Sequence, residues 1–188
     1  MSEKKALVFL AGGFEEVEAL TPIDFLRRVE VNLLTVSISA SKTVTSSRKI
    51  PVVADRLITE LPQGAVYDAL ILPGGGAGAS NLAASTEVGA LLRAQAAAGR
   101  LIAAICAAPP VVLGPLGLLV NRSFTCYPGM EDQVKAEGAL WSGDPVVRDG
   151  NLITSRGAGT AAQWSLAIIA ALLGPDEAER LARAVVLR

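Results

Sequence analysis

A doubly wound α/β sheet is the fold class this sequence predicts, and three observations predict it. Short β-branched and aliphatic runs alternate with segments of helical spacing, the pattern of parallel βαβ units. The run Leu101–Ile105 carries no polar residue, as a strand covered on both faces requires. Three strand ends pass into glycine-rich or tight turns: Ala11-Gly12-Gly13, Pro73-Gly74-Gly75-Gly76 and Ile105-Cys106-Ala107. In an open parallel sheet, sites form beyond the carboxyl ends of the strands.

Taken in order, residues 5–10 read as a buried first strand. In residues 14–28, Val17, Leu20, Ile23, Leu26 and the next residue, Val29, recur every third position and predict a helix face. Pro22 should bend or break that helix. Residues 31–36 are a second strand, residues 43–54 a polar hairpin or excursion, and residues 67–72 a third strand. Residues 82–98 are helical by Ala and Leu content, and 107–113 form a helix with Pro109 and Pro110 in its first turn. Residues 123–126 and 152–154 are short strands. Residues 160–173 form an apolar helix stopped by Gly174-Pro175, and 176–184 a last amphipathic helix. With no repeat or linker, residues 1–188 are expected to form one domain.

Composition excludes several classes of function. Apolar residues make up 51% of the chain, yet no run reaches the ~18 residues of a membrane span. The first apolar run is too short for a signal-peptide core, so a cytoplasmic location is expected. A net charge of −1 without a basic cluster argues against an obligate nucleic-acid partner. Two cysteines, Cys106 and Cys126, cannot build a disulfide framework. The absence of histidine removes Ser-His-Asp triads, Cys-His dyads and His-based metal sites. Chemistry must therefore run on Cys, carboxylates, Arg, Tyr and backbone donors, with no metal expected.

The segment Ala103-Ala104-Ile105-Cys106-Ala107-Ala108-Pro109 carries that chemistry. A buried strand runs into a helix with one reactive side chain at the junction and only small residues around it. These are the mechanics of a nucleophile elbow, with sulfur in place of a hydroxyl. Gly74 and Gly75 let backbone N–H groups approach a reacting oxygen, and with the N–H of Ala107 they predict an oxyanion hole. The run after Gly74 lacks the GxGxxG register of a dinucleotide loop. Glu15, Glu16 and Glu18 follow the first glycine turn. One of them can face the sulfur, and spacing alone does not say which. Its pKa should rise by burial and like charge, and that of Cys106 should fall beside a helix N-terminus. Cys126, with no helix start behind it, should be the less reactive thiol.

Further motifs carry a resemblance. They are Phe14-Glu15-Glu16-Val17-Glu18, Ser47-Arg48, Tyr67-Asp68, Leu72-Pro73-Gly74-Gly75, the Cys106 segment and Ser155-Arg156-Gly157 with Gly159-Thr160. The chain resembles the ThiJ/PfpI superfamily, in the branch of the parkinsonism-associated protein deglycase. That resemblance implies a flavodoxin-like three-layer sandwich, a homodimer and no cofactor. It implies Cys106 as nucleophile, Glu18 as its carboxyl partner, Gly75 and Ala107 as oxyanion donors, and Arg48 and Arg156 in an anion niche. Gly74, Glu15 and Tyr127 are expected around the substrate. Tyr127 stands where many relatives have His, so protease activity is not expected. Glu30 replaces a turn glycine and should loosen that turn, while Ser46 and Val53 replace other cysteines. The activity implied is cofactor-free conversion of reactive dicarbonyls or glycation adducts. The alternative is a redox-sensing, chaperone-like protein with an oxidisable Cys106.

Overall fold

The structure is a computed structural model that describes residues 4–135 and 137–187. The chain forms β1 (Lys5–Leu10), α1 (Glu16–Arg28), β2 (Asn32–Ser37), β3 (Thr43–Thr45), β4 (Pro51–Val53) and β5 (Arg56–Leu57). It continues with β6 (Ala69–Leu72), α2 (Gly76–Ala84), α3 (Thr86–Ala97), β7 (Leu101–Ile105) and a wide helical turn, Pro109–Leu113. Then come β8 (Ser123–Phe124), α4 (Asp132–Lys135), β9 (Leu140–Trp141), β10 (Val146–Asp149), β11 (Leu152–Ser155), α5 (Ala161–Leu173) and α6 (Pro175–Ala184).

Seven strands form one sheet in the order β10-β11-β7-β6-β1-β2-β5. Every pair is parallel except β10 with β11. Alternation along β1 shows why both faces are covered. Ala6, Val8 and Leu10 pack with Ile23 and Leu26 of α1 and with Trp164 and Ile168 of α5. Leu7 and Phe9 pack on the other side with Leu82 of α2 and Leu92 of α3. The result is the flavodoxin-like three-layer sandwich, with helices on both sides of a mostly parallel sheet. Strand order reverses between β1 and β6, which parts the turns after these two strands and opens the edge beside Cys106.

Several local expectations are corrected. Val17 and Leu20 are exposed, while Ala19, Pro22, Ile23, Phe25 and Leu26 are buried. A strict three-residue spacing drifts about 60° around the helix at each step, so that row cannot all face the core. Pro22 does not break α1, which runs for 13 residues. It sits on the buried face, and beside the bond it removes Thr21 Oγ1 donates to the Val17 carbonyl. The helix expected over 82–98 is two helices, because the extended Ser85 ends α2 and its Oγ caps Val88 N–H of α3. The helix after Cys106 is only a five-residue turn, with a bond from Gly114 N–H to the Pro109 carbonyl that skips one residue more than an α-helical bond. The strand at 123–126 shrinks to two residues, and it pairs with β9 outside the main sheet.

The turn at Glu30 is not loose. Val31 N–H bonds the Leu26 carbonyl at 3.1 Å and Glu30 N–H bonds the Arg27 carbonyl at 3.2 Å, the paired bonds of a Schellman C-cap. Glu30 holds φ 57 to make them.

Candidate active site

Three strand ends build the site. Cys106 follows β7 with φ 65, the left-handed region that strains a residue bearing a side chain. Its own backbone is pinned on both sides. The Cys106 N–H donates to the Ser155 carbonyl at 2.9 Å, and the Cys106 carbonyl accepts from Tyr127 N–H at 2.9 Å. The sulfur is half-buried and faces the N–H groups of Gly75 and Ala107.

After β6, Gly74 makes room for this arrangement. A Cβ there would stand 2.6 Å from the Cys106 Cβ and 2.7 Å from Glu18 Oε2. Gly75 holds φ 86, and a Cβ on it would meet the Gly13 carbonyl oxygen at 2.5 Å. Both glycines are therefore demanded by close approach.

After β1, the three neighbouring glutamates take three different positions. Glu15 caps α1: its Oε2 accepts from Glu18 N–H at 2.8 Å. Glu16 turns to the β3–β4 hairpin and accepts from Ser47 Oγ at 3.0 Å. Burial would raise the Glu16 pKa. Hydrogen bonds from its own N–H, the Ser47 and Ser46 hydroxyls and Arg48 N–H outweigh that and hold it below the ordinary value. Glu18 alone faces the sulfur. It is 1% exposed, its Oε2 accepts from Gly74 N–H at 2.9 Å, and it also accepts from the Cys106 thiol and Ala158 N–H.

Burial pushes the Glu18 carboxyl up to about 7, and the nearby Glu15 charge adds to this. The thiol departs from expectation. Burial, then the adjacent Glu18 charge, push Cys106 up to about 12 against the pull of the Gly75 and Ala107 N–H groups. The short turn that follows has too few aligned peptides for a strong dipole. With these values the pair holds two protons below about pH 7 and one above it, on the sulfur and donated toward the carboxylate. Cys126 is also pushed up to about 12, first by burial. What separates the two thiols is access and partners, since Cys126 is 1% exposed and, among the described residues, donates to the Tyr127 carbonyl.

Tyr127 is half-exposed at the edge of the site. A Cβ built on Gly157 would lie 3.6 Å from Tyr127 Cδ2 and 3.8 Å from Glu18 Oε1, so ring and carboxyl flank the same glycine. The two arginines stand farther out. Arg156 Nη1 donates to the Gly143 carbonyl at 3.3 Å, and Arg48 is exposed on the hairpin turn. Among the described residues neither makes an ion pair. Ala158 is the contributor that sequence reasoning missed. A backbone donor leaves no signature beyond the turn at Gly157. Among the described residues no three Cys, Asp or Glu side chains converge as metal ligands would.

A strained cysteine elbow, a buried carboxyl on its sulfur and paired backbone donors define a cysteine-centred protein of the doubly wound class. Comparison with known proteins narrows this. The model of the DJ-1/PfpI family matches residues 4–171, and the chain belongs to that family. Protein dj-1beta of Drosophila melanogaster is 38% identical over 184 residues, covering 98% of this chain and 97% of that one. Glutathione-independent glyoxalase DJR-1.2 of Caenorhabditis elegans is 33% identical over 187 residues, covering 99% and 98%. The structure of oxidised DJ-1 from Toxoplasma gondii superposes with a TM-score of 0.93 at 34% identity, covering 97% of this chain and 98% of that one.

Proposed function

We propose that this protein converts reactive dicarbonyls such as methylglyoxal to hydroxy acids without cofactor or glutathione. The observation that carries this reading is the Glu18 carboxyl on the Cys106 sulfur, with a pKa of about 7. A general base works best when its pKa lies near the operating pH. A thiol held up at about 12 needs such a base at the moment of attack.

Sγ of Cys106 adds to the aldehyde carbon as its proton passes to the Glu18 carboxylate. The N–H groups of Gly75 and Ala107 hold the carbonyl oxygen, which becomes the hydroxyl of a hemithioacetal. Glu18 then moves a proton from that carbon to its neighbour while the hydroxyl proton passes to the neighbouring oxygen, and the product is a thioester of the hydroxy acid. Water cleaves the thioester and restores the thiol. Tyr127 borders the substrate, and Arg48 and Arg156 set a positive rim for anionic or glycated substrates. The glyoxalase named among the relatives supports this class of reaction.

The protein is further proposed to act as a homodimer of one-domain chains. Exposed Val17 and Leu20 on α1, with Ile50 and Val53 on the hairpin, give an apolar surface that supports a second copy.

The test is formation of lactate from methylglyoxal without glutathione, with wild type and Cys106→Ser side by side. Wild type should turn over and Cys106→Ser should not. The reading falls if wild type is inactive or if the variant keeps its activity. A redox sensor is the second reading, favoured by the half-buried sulfur and the oxidised relative. Inactivity together with a stable sulfinate on Cys106 after mild peroxide would select it.

A further inference from the structure

The end of the sheet opposite Cys106 is also hollowed. A cavity of about 490 Å³ opens between the segment before β6 and helix α3. Its walls include Ile58, Leu61, Leu70 and Leu91, with Tyr67 and Gln95 among them. It lies where β6 and β7 begin, whereas Cys106 lies where β7 ends. Five strand residues separate the two places by about 16 Å.

The polar groups of this cavity are unusual. Gln95 is 5% exposed, and both hydrogens of its amide are engaged. Nε2 donates to the Tyr67 carbonyl at 3.1 Å and to the Leu101 carbonyl at 3.0 Å. Those two bonds fix the orientation of the amide. Oε1 is then left with no donor among the described residues. The Tyr67 side chain is 6% exposed, and its hydroxyl likewise has no partner among them. Backbone carbonyls hold Gln95 in place, and its Oε1 and the Tyr67 hydroxyl stay reachable from the cavity they line, since among the described residues the fully buried side-chain oxygen without a partner is Thr125 Oγ1. A volume in the range of ligand pockets, aliphatic walls and a few placed polar groups are the features of a small-molecule site. One acid, Glu87, and one base, Arg100, also line it, so neither sign of charge is favoured.

We propose that this cavity binds a small neutral aromatic molecule carrying one hydroxyl or N–H donor, with Gln95 Oε1 as the acceptor. Its size suits a bicyclic ring system, and the donor is what a bare amide oxygen selects. The site is separate from the reactive thiol and does not depend on the dicarbonyl reading.

Nitrogen-15 shift titration of the full chain with 2-naphthol, and with 2-methoxynaphthalene as the isostere lacking a donor, tests this. Saturable shifts should map to residues 58–67 and 87–95, with 2-naphthol bound at least about tenfold more tightly. Ala94→Phe, which fills the cavity from the exposed side of α3, should abolish the shifts. Ala90→Phe serves the same purpose should the first variant fail to fold. No saturable shift, equal affinity for the two probes, shifts centred on Cys106, or undiminished binding in a folded filled variant would each overturn the proposal.

Discussion

At the scale of single residues, Glu18 connects the proposed chemistry to stability. Its carboxyl titrates near the ordinary 4.5 in the unfolded chain and at about 7 when folded. The folded protein therefore holds a proton that the unfolded chain releases between these values. Stability from this group is full below pH 4.5, falls as pH rises through 7, and is then flat. The loss amounts to about 3 kcal/mol. Glu18→Gln removes the titration, so urea midpoints should show the variant gaining on wild type from pH 4.5 to 7. A constant difference across that range would show that the carboxyl is not held up by burial. In the proposed turnover the same group acts with the opposite sign, because the base would be the carboxylate. Wild-type kcat/KM should rise through about pH 7 and level off. Glu18→Gln should lose that limb and fall by roughly 10²–10⁴. The elbow itself was legible in the sequence, because a lone thiol between a polar-free strand and two prolines fits little besides a sharp turn out of the sheet. The roles of three adjacent glutamates were not. Their separation depends on where the α1 cap, the hairpin and the sulfur lie, and none of these is local in sequence.

At the scale of elements, the caps carry the clearest expectations. Glu30 supplies a Schellman cap from φ 57, a conformation that costs a residue with a side chain about 1–2 kcal/mol and glycine little. Glu30→Gly should therefore raise stability by about 1 kcal/mol in a chemical denaturation curve. A loss of stability would mean that the Glu30 side chain does more than turn the chain. Ser85→Ala should cost about 1 kcal/mol, since it strips the cap of α3. Caps also explain where sequence reading stopped. Residues 82–98 look like one helix by composition, and only the Ser85 Oγ bond shows the break. Strands β1, β6 and β7 were legible because both faces are buried and their apolar runs are unbroken. Strands β5 and β9 have two residues each, and β10 has four with one exposed charge, Arg148. Pairing with a neighbour is their main reason to be strands, and pairing is not written in a short run.

For the whole molecule, the unpartnered surface decides the expectation. Val53 is 70% exposed on a two-stranded hairpin, and Ile50, Val17 and Leu20 are exposed with it. Two-stranded hairpins are marginal alone. This one is tied to the N-terminal end of α1 by Gly13 N–H on the Thr45 carbonyl, Ser47 N–H on the Phe14 carbonyl, and Ser47 Oγ on Glu16. Its outer residues and the outer face of α1 therefore move as one surface. Such a surface can be self-complementary about a twofold axis, and a stable pair buries about 1,600 Å² in all. Light scattering should give twice the chain mass for wild type at micromolar concentration. Ile50→Glu with Val53→Glu should give the single mass, since four like charges would meet across the axis. The wild-type thermal midpoint should climb with protein concentration, as it does when folding and association are linked, and that of the double variant should not. A wild type that scatters as a single chain, or a double variant that stays paired, would remove the hairpin from the interface. Neither substitution touches Cys106, Glu18 or their donors, all of which come from one chain. The thiol of the double variant should thus keep the wild-type pH profile of alkylation, which separates assembly from the chemistry of the elbow.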